Sequence, residues 1–305
     1  MTIRTFNELE RQMSKRPPLR VVVAGADDSR VLDAMSAAAN HGQISKAILV
    51  GDAAEIRRLM PADLSKIAEV IDAQDAGTCA NLAVAKARGG AADVLVKGNI
   101  SSAAYLRAVV NKETGLRKSG VLSNLTLAEM PSLDRLIAAT DNGIIVLPTL
   151  AQKRAILQNS RELFAGLGIA NPRVAAIAAS EKVTDTQPAT TDAAALAAES
   201  QRGDFGMMRV EGPFGYDVAV SAAAAKAKGM TTSQVAGRAD LILFPNIEAG
   251  NATVKAWKFH GQARTASIVL GASIPVLLNS RSDGVEQRRL GLVLAQAVIA
   301  GLEQA

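Results

Sequence analysis

From residue 20 onward, short β-branched apolar runs alternate with longer alanine-rich segments whose apolar positions recur every three or four residues. Continuous Val/Ile/Leu runs suit strands buried on both faces, and the longer period suits amphipathic helices, so the alternation predicts parallel α/β structure. Strands are predicted at RVVVAGA (20–26), KAILVGD (46–52), KIAEVIDA (66–73), DVLVKGN (93–99), SGVLSNLTLAEM (119–130) and GIIVLP (143–148). Helices fall between them near 29–41, 53–60, 75–89 and 101–112. After Pro148 the rhythm restarts with a helix over 150–168, then strands at 173–180, 207–213, 239–246, 265–271 and 274–280, and a final helix over 284–302. Restart and length together predict two α/β domains, 1–147 with 284–305 and 148–283, with a ligand cleft between them. DTQPATTD (185–192) reads as an exposed loop before a helix capped by Thr191 or Asp192.

Composition narrows the function classes. The 305 residues are 49% hydrophobic and 21% charged, enough for one large or two medium cores. No apolar run approaches the length of a bilayer span, and the first twenty residues are charged throughout, without the apolar core of a secretory signal; a cytoplasmic protein without membrane contact is expected. Cys79 stands alone in a helical stretch and is expected to be a small core residue. His41 and His260 are far apart and lack a carboxylate cluster at ligand spacing, so neither a metal site nor a Ser-His-Asp relay is expected. The net charge of +5 is spread along the chain and aromatics are only 3%, which disfavours nucleic acid and suits small anionic ligands.

Candidate chemistry sits where strands end. LVKGNISS puts Lys97 and Gly98 at a strand tip and opens a helix that carries Arg107; glycine admits a phosphate and the helix N-terminus adds N–H groups. ADDS (26–29) lacks the G-x-G-x-x-G spacing, so a nicotinamide site is not supported. RVEGPFGYDVAVS brackets a Gly-Pro turn with Glu211 and Asp217, and FPNIEAGNATVK places Asn246, Glu248, Gly250 and Asn251 at another exit. VLLNSRSDGVEQRR ends a buried strand on Ser280 and Arg281, and Asp283 with Glu286 reads as a D-x-x-E helix start. An arginine beside helix N–H groups suits a phosphoryl oxyanion.

These segments, with TDNGIIVLPTLAQKRAILQNS, PRVAAIAASEKV and PATTDAAAL, resemble the phosphate acetyl/butyryl transferase family in nearly unbroken order from about residue 93 to the end, and are closer to its phosphate butyryltransferase branch. The resemblance implies a homodimer with the two-domain isocitrate/isopropylmalate dehydrogenase-like fold, parallel and mixed sheets, and an interdomain cleft. It also implies no tightly bound cofactor, no metal, and conversion of acyl-CoA and phosphate to acyl phosphate and free CoA. The family's serine-arginine pair falls on Ser280 and Arg281: Arg281 is implied to bind phosphate or acyl phosphate, and Ser280 to hydrogen-bond the reacting centre. Acetyltransferase members place an aspartate seven residues beyond that serine, where this chain has Gln287; Asp283 and Glu286 are the nearest carboxylates, and Asp283, closer to the turn, is the expected base. Arg107 matches an arginine in a family helix, and Lys258 and His260 stand where acetyltransferases carry an arginine. Substrate contact is therefore expected of Lys97, Gly98, Arg107, Glu248, Gly250, Asn251 and Lys258.

The reaction needs a thiol of ordinary pKa about 8.5 converted to thiolate. A carboxylate accepts that proton, and CoA supplies the sulfur, so direct transfer in a ternary complex is expected. Arg281, Ser280, Lys97 or Arg107 and helix-end amides would carry the developing negative charge. A dehydrogenase sharing the fold and a non-catalytic ligand-binding relative, the latter prompted by Gln287, are the competing classes.

Overall fold

The computed structural model describes residues 3–280 and 282–304; Arg281 lies outside the described residues. The first elements are α1 (Phe6–Met13), β1 (Leu19–Ala24), α2 (Ser29–Asn40), β2 (Ile44–Gly51), α3 (Ala53–Leu59), α4 (Ala62–Ser65), β3 (Ala68–Asp72), α5 (Ala76–Arg88), β4 (Val94–Lys97) and α6 (Ser102–Val110). Next come β5 (Ser123–Glu129), β6 (Leu136–Thr140), α7 (Leu150–Asn159), α8 (Arg161–Gly166), β7 (Arg173–Ile177), α9 (Pro188–Gln201), β8 (Arg209–Phe214), α10 (Tyr216–Val220) and α11 (Ala222–Ala227). The chain closes with β9 (Leu241–Leu243), α12 (Ile247–Phe259), β10 (Arg264–Leu270), β11 (Val276–Leu277) and α13 (Val285–Leu302).

Two compact units result: 6–122 with 266–305, and 1–5 with 123–265. The sequence pattern suggested divisions at 147 and 283. Strand pairing accounts for the difference. β5 and β6 form an antiparallel pair, and β6 continues in parallel to β9, so both belong with the later strands. β11 pairs with β4 and so returns to the first unit.

In the first unit the strand order is β3-β2-β1-β4-β11-β10, parallel except for β10. From β1 the chain passes through α2 to β2 on one side; α5 brings it back to β4 on the other. Apolar spacing sets the helices that cover this sheet. In α1, Phe6, Leu9 and Met13 recur at three- and four-residue intervals and are buried, each such side chain contributing about 1.5–3 kcal/mol. α13 is buried around nearly its whole circumference and packs beside α2 and α1. Tyr105 of α6 is fully buried, and its hydroxyl lies 3.0 Å from the Leu95 carbonyl and 3.1 Å from that of Leu277, joining β4 to β11. Burial pushes its phenol well above the ordinary tyrosine range, so it stays a neutral donor.

In the second unit the order is β5-β6-β9-β7-β8, parallel apart from β5 against β6. Ile137, Ile242, Phe214 and Trp257 share its core, and the Trp257 indole N–H donates to the Tyr216 hydroxyl at 2.7 Å.

Several local expectations change. The apolar run at 143–148 is not a strand; the strand is the plainer LIAAT of β6 just before it. The cause is Asp141, whose buried carboxylate accepts the backbone N–H groups of Gly143, Ile144 and Ile145 at 2.8, 3.0 and 3.1 Å, taking donors that a ladder would need. Val146 and Leu147 are left 61% and 73% exposed. The helix expected over 150–168 is interrupted at Ser160, whose hydroxyl donates to the Leu157 carbonyl at 2.7 Å. α9 starts at Pro188, not at a cap on Thr191 or Asp192, because proline's missing N–H costs nothing at the first helical position. No helix among the described residues is long and apolar enough to cross a membrane.

Tyr105→Phe removes the hydroxyl bridging two strands and should destabilise the protein by about 1 kcal/mol, read as a lower urea midpoint with unchanged slope.

Candidate active site at the strand exits

β1, β4 and β11 end level, since Ala24 lies opposite Lys97 and Leu277 opposite Val96. Strand order reverses at β1, with β2 added on one side and β4 on the other, which parts the loops that follow; open α/β sheets hold ligands at such points. The two loops nonetheless touch at their base. The Asn99 N–H donates to the Gly25 carbonyl at 2.7 Å and the Gly98 N–H to that of Ala24 at 2.9 Å. A Cβ on Gly98 would stand 1.9 Å from the Gly25 oxygen, so only glycine fits there. Gly98 is therefore explained by backbone packing. Lys97, the last residue of β4, is 5% exposed and its Nζ donates to the Gly98 carbonyl at 3.2 Å.

Beside it, the exit of β11 forms a tight turn. The Ser280 N–H donates to Asp283 Oδ2 at 2.8 Å and the Asp283 N–H returns to the Ser280 carbonyl at 3.1 Å. The Ser280 side chain is exposed, with its hydroxyl 3.0 Å from that of Ser282. Asp283 is buried, and this use of its carboxylate displaces the expected D-x-x-E box by one residue. α13 is instead capped at Gly284, whose N–H donates to Gln287 Oε1 at 3.0 Å, and Glu286 pairs with Arg289. Gln287 thus closes the first turn of α13.

Arg288 holds this turn from behind. Its Nη2 donates to the Ser280 carbonyl at 3.1 Å and its Nε to that of Asp283 at 3.2 Å. Only 5% exposed, it keeps Nη1 without a hydrogen-bond partner among the described residues. Burial lowers its pKa from the ordinary arginine value, Asp283 and Asp28 work against that, and Arg30 adds to it. At the exit of β1, Asp28 caps α2 by accepting the Arg30 N–H at 2.9 Å and pairs with the Arg30 guanidinium at 2.7 Å; that hydrogen bond holds Asp28 below the usual carboxylate range. Asn279 is also buried here, its Oδ1 without a partner among the described residues. The strand exits of this one unit therefore gather Lys97, Arg30 and Arg288 with Ser280, an arrangement suited to a small polyanion.

Sequence reasoning missed Arg288, Arg30 and Asn279. A charged position in a helix reads as a solvated face, and nothing in VEQRRL separates a buried arginine from an exposed one. Arg107 is exposed in the last turn of α6, about 8 Å along the axis from the helix start.

In the second unit, Glu248 is exposed in the first turn of α12 and Lys258 lies in its last turn. Gly250 and Asn251 tie α12 to the exit of β6. A Cβ on Gly250 would stand 2.8 Å from the Asp141 carbonyl, and Asn251 Nδ2 donates to the Asn142 carbonyl at 3.1 Å. Beneath them Asn124 Nδ2 donates to Asn142 Oδ1, and Asn142 Nδ2 to the Thr126 hydroxyl, both at 2.9 Å. Burial raises the Asp141 pKa from the ordinary carboxylate value despite four backbone donors, Gly143, Ile144, Ile145 and Asn124. Cys79 is 4% exposed and burial pushes its thiol up, as expected of a core residue.

Fold and strand exits define an α/β protein that presents cations and a hydroxyl at the carboxyl ends of its strands. Among solved structures, the 4-hydroxythreonine-4-phosphate dehydrogenase of Klebsiella pneumoniae shares the fold, at a TM-score of 0.53 and 14% identity over 92% of this chain and 99% of that one. The dehydrogenase-like fold expected from the sequence is thus borne out. A model of the family described as phosphate acetyl/butaryl transferase matches residues 72–295. The chain belongs to this phosphate acetyl/butyryl transferase family. The phosphate butyryltransferase of Clostridium acetobutylicum is 37% identical over 98% of this chain and 99% of that one. A branched-chain phosphotransacylase from Enterococcus faecalis V583 superposes with a TM-score of 0.81 at 26% identity, over 92% of this chain and 99% of that one.

Gly98→Ala forces backbone apart at the contact between two loops and should cost roughly 3 kcal/mol or more, measured as lost soluble yield or a lowered unfolding midpoint.

Proposed function

We propose that the chain catalyses reversible transfer of a short-chain acyl group, acetyl or butyryl, between CoA and inorganic phosphate. The observation that carries this is family membership along nearly the whole chain, in a molecule whose level strand exits gather a serine hydroxyl and buried cations. CoA thiolate attacks the carbonyl carbon of the acyl phosphate, forming the C–S bond. The tetrahedral intermediate then collapses with cleavage of the bond to the phosphate oxygen, and phosphate leaves. Running backward, phosphate attacks the thioester and CoA leaves.

Within this proposal Arg281 binds the phosphoryl group and the Ser280 hydroxyl hydrogen-bonds the reacting centre. Support for Ser280 comes from its exposure and from the turn that fixes it. Lys97 adds positive charge at the neighbouring exit. Asp283 is proposed as acceptor of the thiol proton, held in place by the Ser280 N–H. Gly98 supports the same exit, while Arg107, Glu248, Gly250, Asn251 and Lys258 are assigned to substrate contact on the resemblance. Arg288 is a positioning residue: among the described residues its hydrogen bonds go to the turn's carbonyls, and its buried charge sets where Ser280 stands. A homodimer that binds CoA as a substrate, with no resident cofactor, completes the proposal.

Thiol release from acetyl-CoA and butyryl-CoA, with and without phosphate, tests the function. Phosphate-dependent release is expected; absence of phosphate-dependent release from every acyl-CoA tried would end the proposal in favour of a binding protein, and reduction of NAD would favour a dehydrogenase. Arg281→Ala is expected to lower turnover about a hundredfold or more while leaving the protein folded, the usual effect of losing one oxyanion donor. Wild-type turnover in that variant would remove the assignment. Arg288→Lys should keep the fold, since the buried charge stays, yet lower kcat roughly tenfold with little change in KM, because an ammonium lacks the fork that reaches both carbonyls. An unchanged kcat would show that the turn needs no such support.

A further inference from the structure

We propose that the second unit carries a further oxyanion site, at the edge where its strands begin, that takes a phosphate group either free or as the monoester of a small molecule. A cavity of ≈ 410 Å³ there is lined by Arg4, Arg135, Arg173 and Arg238 together with Asp134 and Asp240. The topology makes this edge opposite to the unit's own strand exits: Arg135 precedes β6, Arg173 begins β7 and Asp240 directly precedes β9. No residue assigned to acyl transfer lies among the lining residues.

Three guanidinium groups of the lining, those of Arg135, Arg173 and Arg238, face two carboxylates. One of the carboxylates is fully engaged. Asp240 accepts the Arg173 guanidinium at 2.7 and 2.8 Å and the Arg173 backbone N–H at 2.9 Å. The other is too exposed to neutralise much: Asp134, 80% exposed, stands 3.7 Å from Arg135 and 3.9 Å from Arg4, and such pairs are worth little in water. Arg135 is the group left wanting. Its Nε donates to the Ala239 carbonyl at 3.3 Å, but its Nη2 is screened from solvent and has no hydrogen-bond partner among the described residues. Burial lowers its pKa from the ordinary arginine value and the nearby Arg173 charge adds to that, against Asp240 and Asp134. A buried donor without an acceptor is costly, and an oxyanion would supply both the acceptor and the missing negative charge.

The rim is built rather than loose. Arg238 sits on a turn whose neighbours are tied down: the Gly237 N–H donates to the Val218 carbonyl at 2.7 Å, the Ala239 N–H to that of Ala219 at 3.2 Å, and the Asp240 N–H to that of Arg173 at 2.8 Å. Gly237 has φ +75°, and a Cβ there would stand 2.6 Å from the Ala222 Cα, so the turn admits no side chain at that position. The fork geometry of arginine matches phosphate, and the cavity lies within the size range of small-molecule sites.

Calorimetric titration of the full chain with inorganic phosphate and, separately, with ribose 5-phosphate tests the site. The wild type should bind at least one of them in an equivalent that Arg135→Gln and the surface change Arg238→Glu each weaken at least tenfold, with thiol release and unfolding midpoint unchanged in Arg238→Glu. Sensitivity confined to inorganic phosphate identifies free phosphate as the ligand, and sensitivity to ribose 5-phosphate identifies a monoester. Equal binding by wild type and both variants, or a fall in turnover parallel to the fall in binding in Arg238→Glu, overturns the proposal. Heat is read without turnover, so absence of acyl transfer would remove the proposed function and leave this site standing.

Discussion

The approach of Gly98 to Gly25 is the constraint on which the first unit's site depends. Two loops that diverge from a parallel sheet can begin in contact only if neither carries a side chain at the crossing, and the 1.9 Å clearance at Gly98 leaves no room for one. With their bases in contact, the exits of β1 and β4 are held level, and β11 pairs onto β4 in register to bring the Ser280 turn alongside. Tyr105 reinforces that register from beneath by joining the carbonyls of both strands. Backbone contact thus sets the base of these exits, and the side chains of Asp283 and Arg288 fix the Ser280 turn above it.

The polar groups then settle their charges locally. Asp28 is taken by Arg30 and caps α2. Asp283 is taken by the Ser280 N–H, and Arg288 spends two of its donors on carbonyls of the same turn. Gln287 satisfies the first N–H of α13 with an amide oxygen, a task that needs no charge. Buried positive charge is expensive unless something answers it. At these exits Lys97 and Arg288 are each only 5% exposed, and both donate to backbone carbonyls of the turns they support.

In the second unit, polar side chains do structural work under the α12 helix. The Asn124, Asn142 and Thr126 ladder and the Asp141 turn fix the exit of β6, and Gly250 lets the helix settle onto that turn. The same turn explains why an apolar segment stays outside the sheet. At the other edge the second unit gathers Arg135 and Arg173 about Asp240, whose carboxylate is spent on Arg173, while Asp134 is too exposed to neutralise Arg135.

Element types were legible because period decides them: apolar runs at 20–26, 46–52 and 93–99 became parallel strands, and the spaced alanines and leucines between them became helices. Ser280, Lys97 and Gly98 were legible as strand-exit residues for the same reason, since a polar group just past a buried run has few other places to be. Tertiary structure alone decided the rest. Whether GIIVLP joins a sheet depended on where a carboxylate sixteen residues downstream of Asn124's neighbour Leu125 turned its oxygens, and whether Arg288 is solvated or buried depended on α13 packing against α1 and α2. Local pattern records what a segment prefers; burial and register are set by partners far along the chain, which no window of sequence contains.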